Sequence, residues 1–306
     1  MTIFSTSTSA FFERSRSGMT ALRLQAEALQ QQLGSGERLQ RSSDDPVAAS
    51  RLRNLARADR LTQIDTANAE RAATDLTLTD STLAAFASTL TRARELAVQA
   101  GSDTLTTDQR AAIGAELEQI HGHLVSLANA RDSAGHSLFG GETAGDAYTI
   151  DGSGNAVYLG TGSASELSLG DGQSVTRGLT GPEFLNFDPG TGPTDTFAVI
   201  RDLALALGGA SADPAQSARD ALGALSGALD SVTTSQTVVG TRLAWIDFVT
   251  TRHEDLGELR ATEEADLGGT DIASTVARLQ EALVVLEASQ ASFAKLAGLS
   301  LFNSLN

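Results

Sequence analysis

From Met19 the apolar positions run Met19, Leu22, Ala26, Leu29 and Leu33, in alternating steps of three and four. That spacing places them on one stripe of a helix that needs a partner to cover it. Gly34 and Gly36 predict its end. The segment SSDDPVAAS, residues 42–50, then predicts an N-cap at Ser43 or Asp44, with Asp45 beside it and Pro46 in the first turn, where a missing N–H leaves nothing unsatisfied. No Gly or further Pro interrupts residues 46–100, so one helix of 55 residues is expected, roughly 80 Å long at about 1.5 Å per residue. Its later half keeps a heptad through Ala72, Leu76, Thr79, Leu83, Phe86, Leu90, Ala93 and Ala97. After the polar turn GSDTLTTD, the residues Ile113, Leu117, Ile120, Leu124 and Leu127 repeat the spacing, predicting a third helix antiparallel to the second.

From Gly135 to about Pro193 the pattern changes to Gly, Ser, Thr and Asp with short alternating runs. AYTI and AVYL flank DGSGN, which is a hairpin signal. A small β-rich insertion with its own core is expected over 141–194. Helical patterning returns at TDTFAVIRDLALAL, and Asp213 with Pro214 predicts the start of another long helix, with a heptad from Ala218 through Leu225, Val232 and Val239 to Ile246. Gly268 and Gly269 interrupt it. Beyond a cap at Thr270 or Asp271, the last helix carries Ile272, Val276, Leu279, Leu283, Leu286, Gln290, Phe293 and Ala297 on one line. The expected fold is mainly α, a long-helix bundle and coiled coil formed from both chain ends with a small β-rich domain inserted in the middle. Three parts are expected: 1–42 with 265–306 as a terminal coiled coil, 43–140 with 195–264 as a long-helix bundle, and 141–194. Each terminal stripe is too narrow to fold alone, so the two ends are expected to meet.

Charge sharpens this division. The net charge is −16 at pH 7, yet residues 1–42 carry +2 and residues 265–306 carry −2, so all of the excess lies between them. An acidic chain lacks the cations that displace phosphate counterions, which argues against nucleic acid as a partner. No stretch reaches the length of a membrane span, and the opening residues lack the pattern of a cleaved secretory signal. The chain has no Cys, hence no thiolate chemistry or disulfide framework.

The search for catalytic groups ends without a constellation. His121 and His123 stand about 200° apart around their helix, so they do not share a metal easily. His136 sits in a turn and His253 next to Glu254, neither with a nucleophile to serve. GSGNAVYLGTG lacks the following helix of a dinucleotide fingerprint. Asp151, Asn155 and Asp171 match no fixed calcium loop, and the adjacent Asp44 and Asp45 are better explained by capping than by acid–base work. No enzyme, cofactor or metal is expected.

Three segments carry a resemblance. LGSGERLQRSSDDPVAAS (33–50) with RARELAVQAG (92–101), and LEASQASFAKLAGLSLFNSL (286–305), resemble the two chain ends of the flagellin superfamily, in the family's order. Within it, DDPVAAS and NARDSAGHSLFGG (129–141) look like the branch that joins hook to filament, whereas RARELAVQAG and SLFNSL look like the branch that forms the filament itself. The resemblance implies an extracellular structural subunit of the bacterial flagellum, exported without a cleaved signal. It implies self-assembly into a ring, with a neighbouring hook-associated protein, flagellin, the flagellar export apparatus and a chaperone as partners, and no membrane insertion. The assembly interface would be Met19, Leu22, Ala26, Leu29 and Leu33 with Ile272, Val276, Leu279, Leu283, Leu286 and Phe293. Ser43, Asp44, Asp45 and Pro46 would cap a helix at the domain junction. A surface adhesin or glycan-binding module built on residues 141–194 is the competing reading from a different class.

Overall fold

The computed structural model describes the backbone of residues 3–190 and 192–304 and the side chains of residues 10–190 and 192–296. Four long elements dominate: α1 (Ile3–Ser35), α2 (Pro46–Ala100), α6 (Pro214–Gly268) and α7 (Ile272–Ser304). Between α2 and α6 come α3 (Thr107–Ala128), α4 (Gly181–Leu185), α5 (Thr196–Leu205) and a π turn, Ala206–Ala210. The fold is mainly α, as the periodicity predicts. Its helices form where Ala, Leu, Glu, Gln and Arg predominate, α2 without a single Gly, and they stop at chemically defined points. Gly36, at φ 72°, ends α1 in the left-handed region that a Cβ disfavours, its N–H bonding Gln32 O at 2.9 Å. Thr106 and Gln109 close a reciprocal capping box at the start of α3.

The cap of α2 differs from the expected one. Asp45, immediately before Pro46, accepts the Ala48 N–H at 3.0 Å on its carboxylate and the Ala49 N–H at 2.9 Å on its carbonyl. Asp44 instead closes the preceding turn, accepting from Arg41 N at 2.9 Å and Gln40 N at 3.3 Å, and Ser43 is exposed. Proline at the first helical position fixes the cap one residue before itself, which selects Asp45 over Ser43 and Asp44. Asp271 caps α7 in the same manner, accepting from Ala273 N at 3.0 Å.

The chain divides into two compact units, residues 1–60 with 255–306 and residues 61–254. The divisions fall inside α2 and α6, at 60/61 and 254/255. The reason is local pairing: Arg51 forks onto Glu263 at 2.5 and 2.8 Å, and Arg260 reaches Asp59 at 3.0 Å, so the first turns of α2 and the last turns of α6 belong with the chain ends.

In the second unit every member of the α2 heptad from Ala72 to Ala97 is buried, and Leu117, Leu124, Ala218, Val232 and Val239 join it in one core. Three antiparallel hairpins follow α3: β1 (Tyr148–Ile150) with β2 (Ala156–Tyr158), β3 (Glu166–Gly170) with β4 (Gln173–Thr176), and β5 (Asn186–Phe187) with β6 (Thr194–Asp195). The first is the hairpin expected around DGSGN, with Tyr148 opposite Tyr158. The insertion has no core of its own. Phe184 from α4 meets Phe86 of α2 edge-on at 5.2 Å and Phe139 at 4.8 Å, and Leu169 and Val175 enter the same apolar cluster as the helices. Strands of two to five residues bury too little to stand alone.

Phe184→Ala is therefore expected to cost about 3–5 kcal/mol of the second unit's stability, whereas Val157→Ala, on the exposed side of β2, should stay within about 0.5 kcal/mol. Denaturant melts followed by circular dichroism read both.

Candidate assembly interface

In the first unit α1 and α7 lie antiparallel along each other. At one end Thr270 N donates to Gly36 O at 2.9 Å, Arg38 N donates to Gly268 O at 2.7 Å, and the Arg38 guanidinium donates to Leu267 O at 2.8 Å. Toward the other end Phe12 meets Phe293 edge-on, with centroids 5.3 Å apart. The α1 stripe packs as its spacing predicts. Ala26 and Leu29 are buried, and Phe12, Met19, Leu22 and Leu33 are half-buried.

The α7 line differs in half of its positions. Leu279, Leu286 and Phe293 are half-buried against α1, but the positions between them are Thr275, Ala282 and Ser289; Thr275 and Ala282 are buried and Ser289 is half-buried. Val276 and Leu283 stand to the side, 36% and 44% exposed, Ile272 is 66% exposed, and Gln290 is also exposed. The side chain of Ala297 lies outside the described residues. Both lines have heptad spacing and share every second member, so spacing alone does not separate them. Small residues on the inward line let the two helices approach, and the buried Ala26 and Ala282 are the signal that a search for large apolar residues passes over.

The consequence is an uncovered helix. Ile272, Val276 and Leu283 expose one flank of α7, Val285 (43%) and Leu296 (43%) the other, and Val284 (65%) faces away from α1. Between the helices runs a groove of about 470 Å³ lined by Phe11, Met19, Leu22, Val285, Phe293 and Leu296. Arg278, Glu281 and Glu287 are exposed among these patches, so α7 is apolar well beyond the line that α1 covers without being apolar throughout.

The other residues singled out in the sequence do structural work. Asp151 accepts from Ser153 N and Asn155 N, both at 2.8 Å, within the β1–β2 turn, while Asp171, at φ 51°, turns β3 into β4. Asp132 is bound by Ala134 N at 2.9 Å, His136 N at 2.8 Å and Arg177 at 3.0 Å, and Arg177 also reaches Asp75 at 3.2 Å. Burial works against ionisation of Asp132, yet the two N–H donors and His136 carry its pKa below the ordinary value; at Asp75 burial outweighs Arg177 and raises it. His121 is buried with its ring edge-on to Phe197, and His123 is exposed. Among the described residues no cluster has the composition of a metal site, and no helix is long and apolar enough to cross a membrane.

Residues 6–144 match the family described as the bacterial flagellin N-terminal helical region. Over 312 aligned residues the chain is 25% identical to flagellar hook-associated protein 3 of Escherichia coli (strain K12), covering 97% of this chain and 98% of that protein. Among solved structures it superposes on a flagellar hook-associated protein from Vibrio parahaemolyticus with a TM-score of 0.67 at 23% identity, covering 74% of this chain and all of that one. It likewise superposes on the flagellar junction protein FlgL from Legionella pneumophila with a TM-score of 0.60 at 14% identity, covering 72% of this chain and 100% of that one.

The α2 cap supplies a pH test. The Ala48 N–H bond, and after it Arg38, hold the Asp45 pKa below its ordinary 3.8 against the opposing effect of burial. A depressed carboxylate contributes stability above its unfolded pKa and loses it as pH falls through the folded one. Amide exchange at Ala48 should be pH-independent, after correction for intrinsic rates, down to about pH 4 and lose protection in stronger acid. Asp45→Asn should flatten that loss, and Ser43→Ala should leave it unchanged.

Proposed function

We propose that this chain, a member of the flagellin superfamily similar along nearly its whole length to hook-associated protein 3, is a structural subunit of the bacterial flagellum that joins hook to filament. The observation that carries the assembly part is α7, which α1 covers along one line only. Fully burying an exposed Leu or Val contributes about 1.5–3 kcal/mol, and Leu283, Val284 and Val285, 44%, 65% and 43% exposed, each gain part of that when a neighbouring copy covers them. The flat charge balance of the two chain ends lets them crowd together, while the excess negative charge of residues 43–264 keeps the remainder hydrated and apart.

In this reading the residues at the α1–α7 surface have two tasks. Met19, Leu22, Ala26, Leu29, Leu33, Leu279, Leu286 and Phe293 hold the pair within one subunit. Ile272, Val276 and Leu283, with Val284, Val285 and Leu296, pack on adjacent subunits in a ring. The partners are further copies of this chain, a hook-associated protein on one side and flagellin on the other, reached by export through the flagellar apparatus with a chaperone. Residues 141–194 form the variable, solvent-facing part. The role is structural, not catalytic, and acts outside the cell.

Complementation of a strain lacking the protein tests this. Leu283→Asp with Val284→Asp, both exposed in the single chain, should abolish filament attachment and swimming and leave the melting curve of the purified variant within about 1 °C of the parent's. Immunogold label on parent flagella should lie at the hook–filament boundary. Normal swimming by the variant overturns the role of α7, and label along the filament overturns the junction role in favour of the filament-forming branch.

A further inference from the structure

The first unit carries two lines of opposite charge that its own ion pairs leave unmatched. From Pro46 to Arg60, α2 holds Arg51, Arg53, Arg57 and Arg60 against Asp59, a net of +3 inside an acidic chain. From Asp255 to Gly268, α6 holds Asp255, Glu258, Glu263, Glu264 and Asp266 against Arg260, a net of −4. Arg51 is taken by Glu263, and Asp59 by Arg260. What remains on α2 is Arg53, Arg57 and Arg60, a single line at helical spacing and exposed throughout. Arg53 touches the Ser42 hydroxyl at 3.4 Å, and among the described residues no carboxylate pairs with any of the three. On α6, Asp255, Glu258 and Asp266 form the second line, likewise exposed and without a cationic partner among the described residues.

Neither line faces the inside of its own subunit. Leu55 is buried, and the basic line lies roughly 150° round α2 from it at about 100° per residue. Leu256, Arg260, Glu263 and Leu267 are half-buried along one side of α6, and the acidic line stands roughly 90° or more away from them. The two lines therefore do not close on each other within one chain, whereas a second copy brings each its complement. Their lengths agree: the arginines span about 10 Å and the carboxylates about 16 Å at about 1.5 Å per residue. Leu259, 66% exposed, stands among the carboxylates. The aliphatic stems of the arginines are the surface that covers such a side chain while their guanidinium heads reach the acids around it.

We propose that the Arg53–Arg57–Arg60 line of α2 docks on the Asp255–Glu258–Asp266 line of α6 in a second copy of this chain, with Leu259 laid along the arginine stems. The inference rests on the self-assembly reading and deepens it by naming a contact between neighbours. The two lines are different patches, so the contact is head-to-tail, and repetition of it closes a ring or winds a helix. Exposed ion pairs hold little individually. What they contribute is orientation, because a contact that sets arginines on arginines or carboxylates on carboxylates is repelled.

Charge exchange and cross-linking decide it. Arg53→Glu with Arg57→Glu, and separately Asp255→Arg with Glu258→Arg, set like charges across the contact. In a strain lacking the protein, each pair should cut the fraction of cells with attached filaments about tenfold. All four substitutions together restore opposite charges and should return that fraction to the parent's. The substituted residues are exposed, so the melting curves of the purified chains should coincide, which separates a contact between copies from one within a copy. Because the chain has no Cys, Ser50→Cys, three residues before Arg53, and Thr262→Cys, within the acidic line, can be placed on separate chains with every charge intact. A bismaleimide applied to flagella grown with both variants should yield linked dimers, and flagella grown with either alone should yield none. Normal attachment with either charge-reversed pair overturns the proposal, as does a fourfold exchange no better than the pairs while all three chains melt like the parent. Mixed flagella without links, or links within a single variant, overturn it as well. Mixed links in flagella whose label lies along the filament would sink the junction role instead and leave this contact standing.

Discussion

A single neighbour covers roughly a third of the circumference of a helix, because the apolar stripe that suits one partner is about 100° wide. α7 is apolar over far more than that. Its inward line of Thr275, Leu279, Ala282, Leu286 and Phe293 satisfies α1, and Val276, Leu283, Val284 and Val285 are left in water. Thr275 and Ala282 take the inward positions beside Leu279 and Leu286, so Val276 and Leu283 stand beside the contact rather than in it. The intramolecular contact thus alternates small and large side chains, and Val276, Leu283, Val284 and Val285 remain exposed beside it.

The second unit encloses a continuous aromatic and aliphatic core. Phe86, Phe139, Phe184 and Phe197 pull one helix, a loop and two segments from the middle of the chain into a common core. Polar clamps fix the loop that leaves α3. Asn129 donates to Tyr148 O at 2.9 Å and accepts its N–H at 2.8 Å, and Arg177 ties Asp132 to Asp75. The NARDSAGHSLFGG segment that marks the family resemblance is therefore a structural corner, where the chain leaves the helix and begins the hairpins.

Where a residue's role depends on its own helix, the sequence discloses it. The α2 heptad and the Gly36 stop follow from periodicity and backbone preference, and both are present. Where the role depends on a partner, sequence reasoning falls short in identifiable ways. The heptads through Val276 and through Thr275 are equally regular, and only the surface of α1 chooses between them. The cap was legible as a motif but displaced by one residue, since Pro46 dictates which carboxylate is in reach. The insertion has the composition of a separate domain, yet Phe184 and Leu169 have nowhere to be buried except against α2 and its neighbours. The charged lines through Arg57 and Glu258 are regular in the sequence as well, and only the burial of Leu55 and the half-burial of Leu256 show that both face outward.

The central claim is that the exposed face of α7 is covered by neighbouring subunits, and chemical access to that face tests it directly. In a Val284→Cys variant that supports swimming, the thiol introduced into a Cys-free chain is the single site for a maleimide label. The account predicts rapid labelling of the purified chain and labelling slowed at least tenfold in intact flagella. Equal rates in the two states would contradict it.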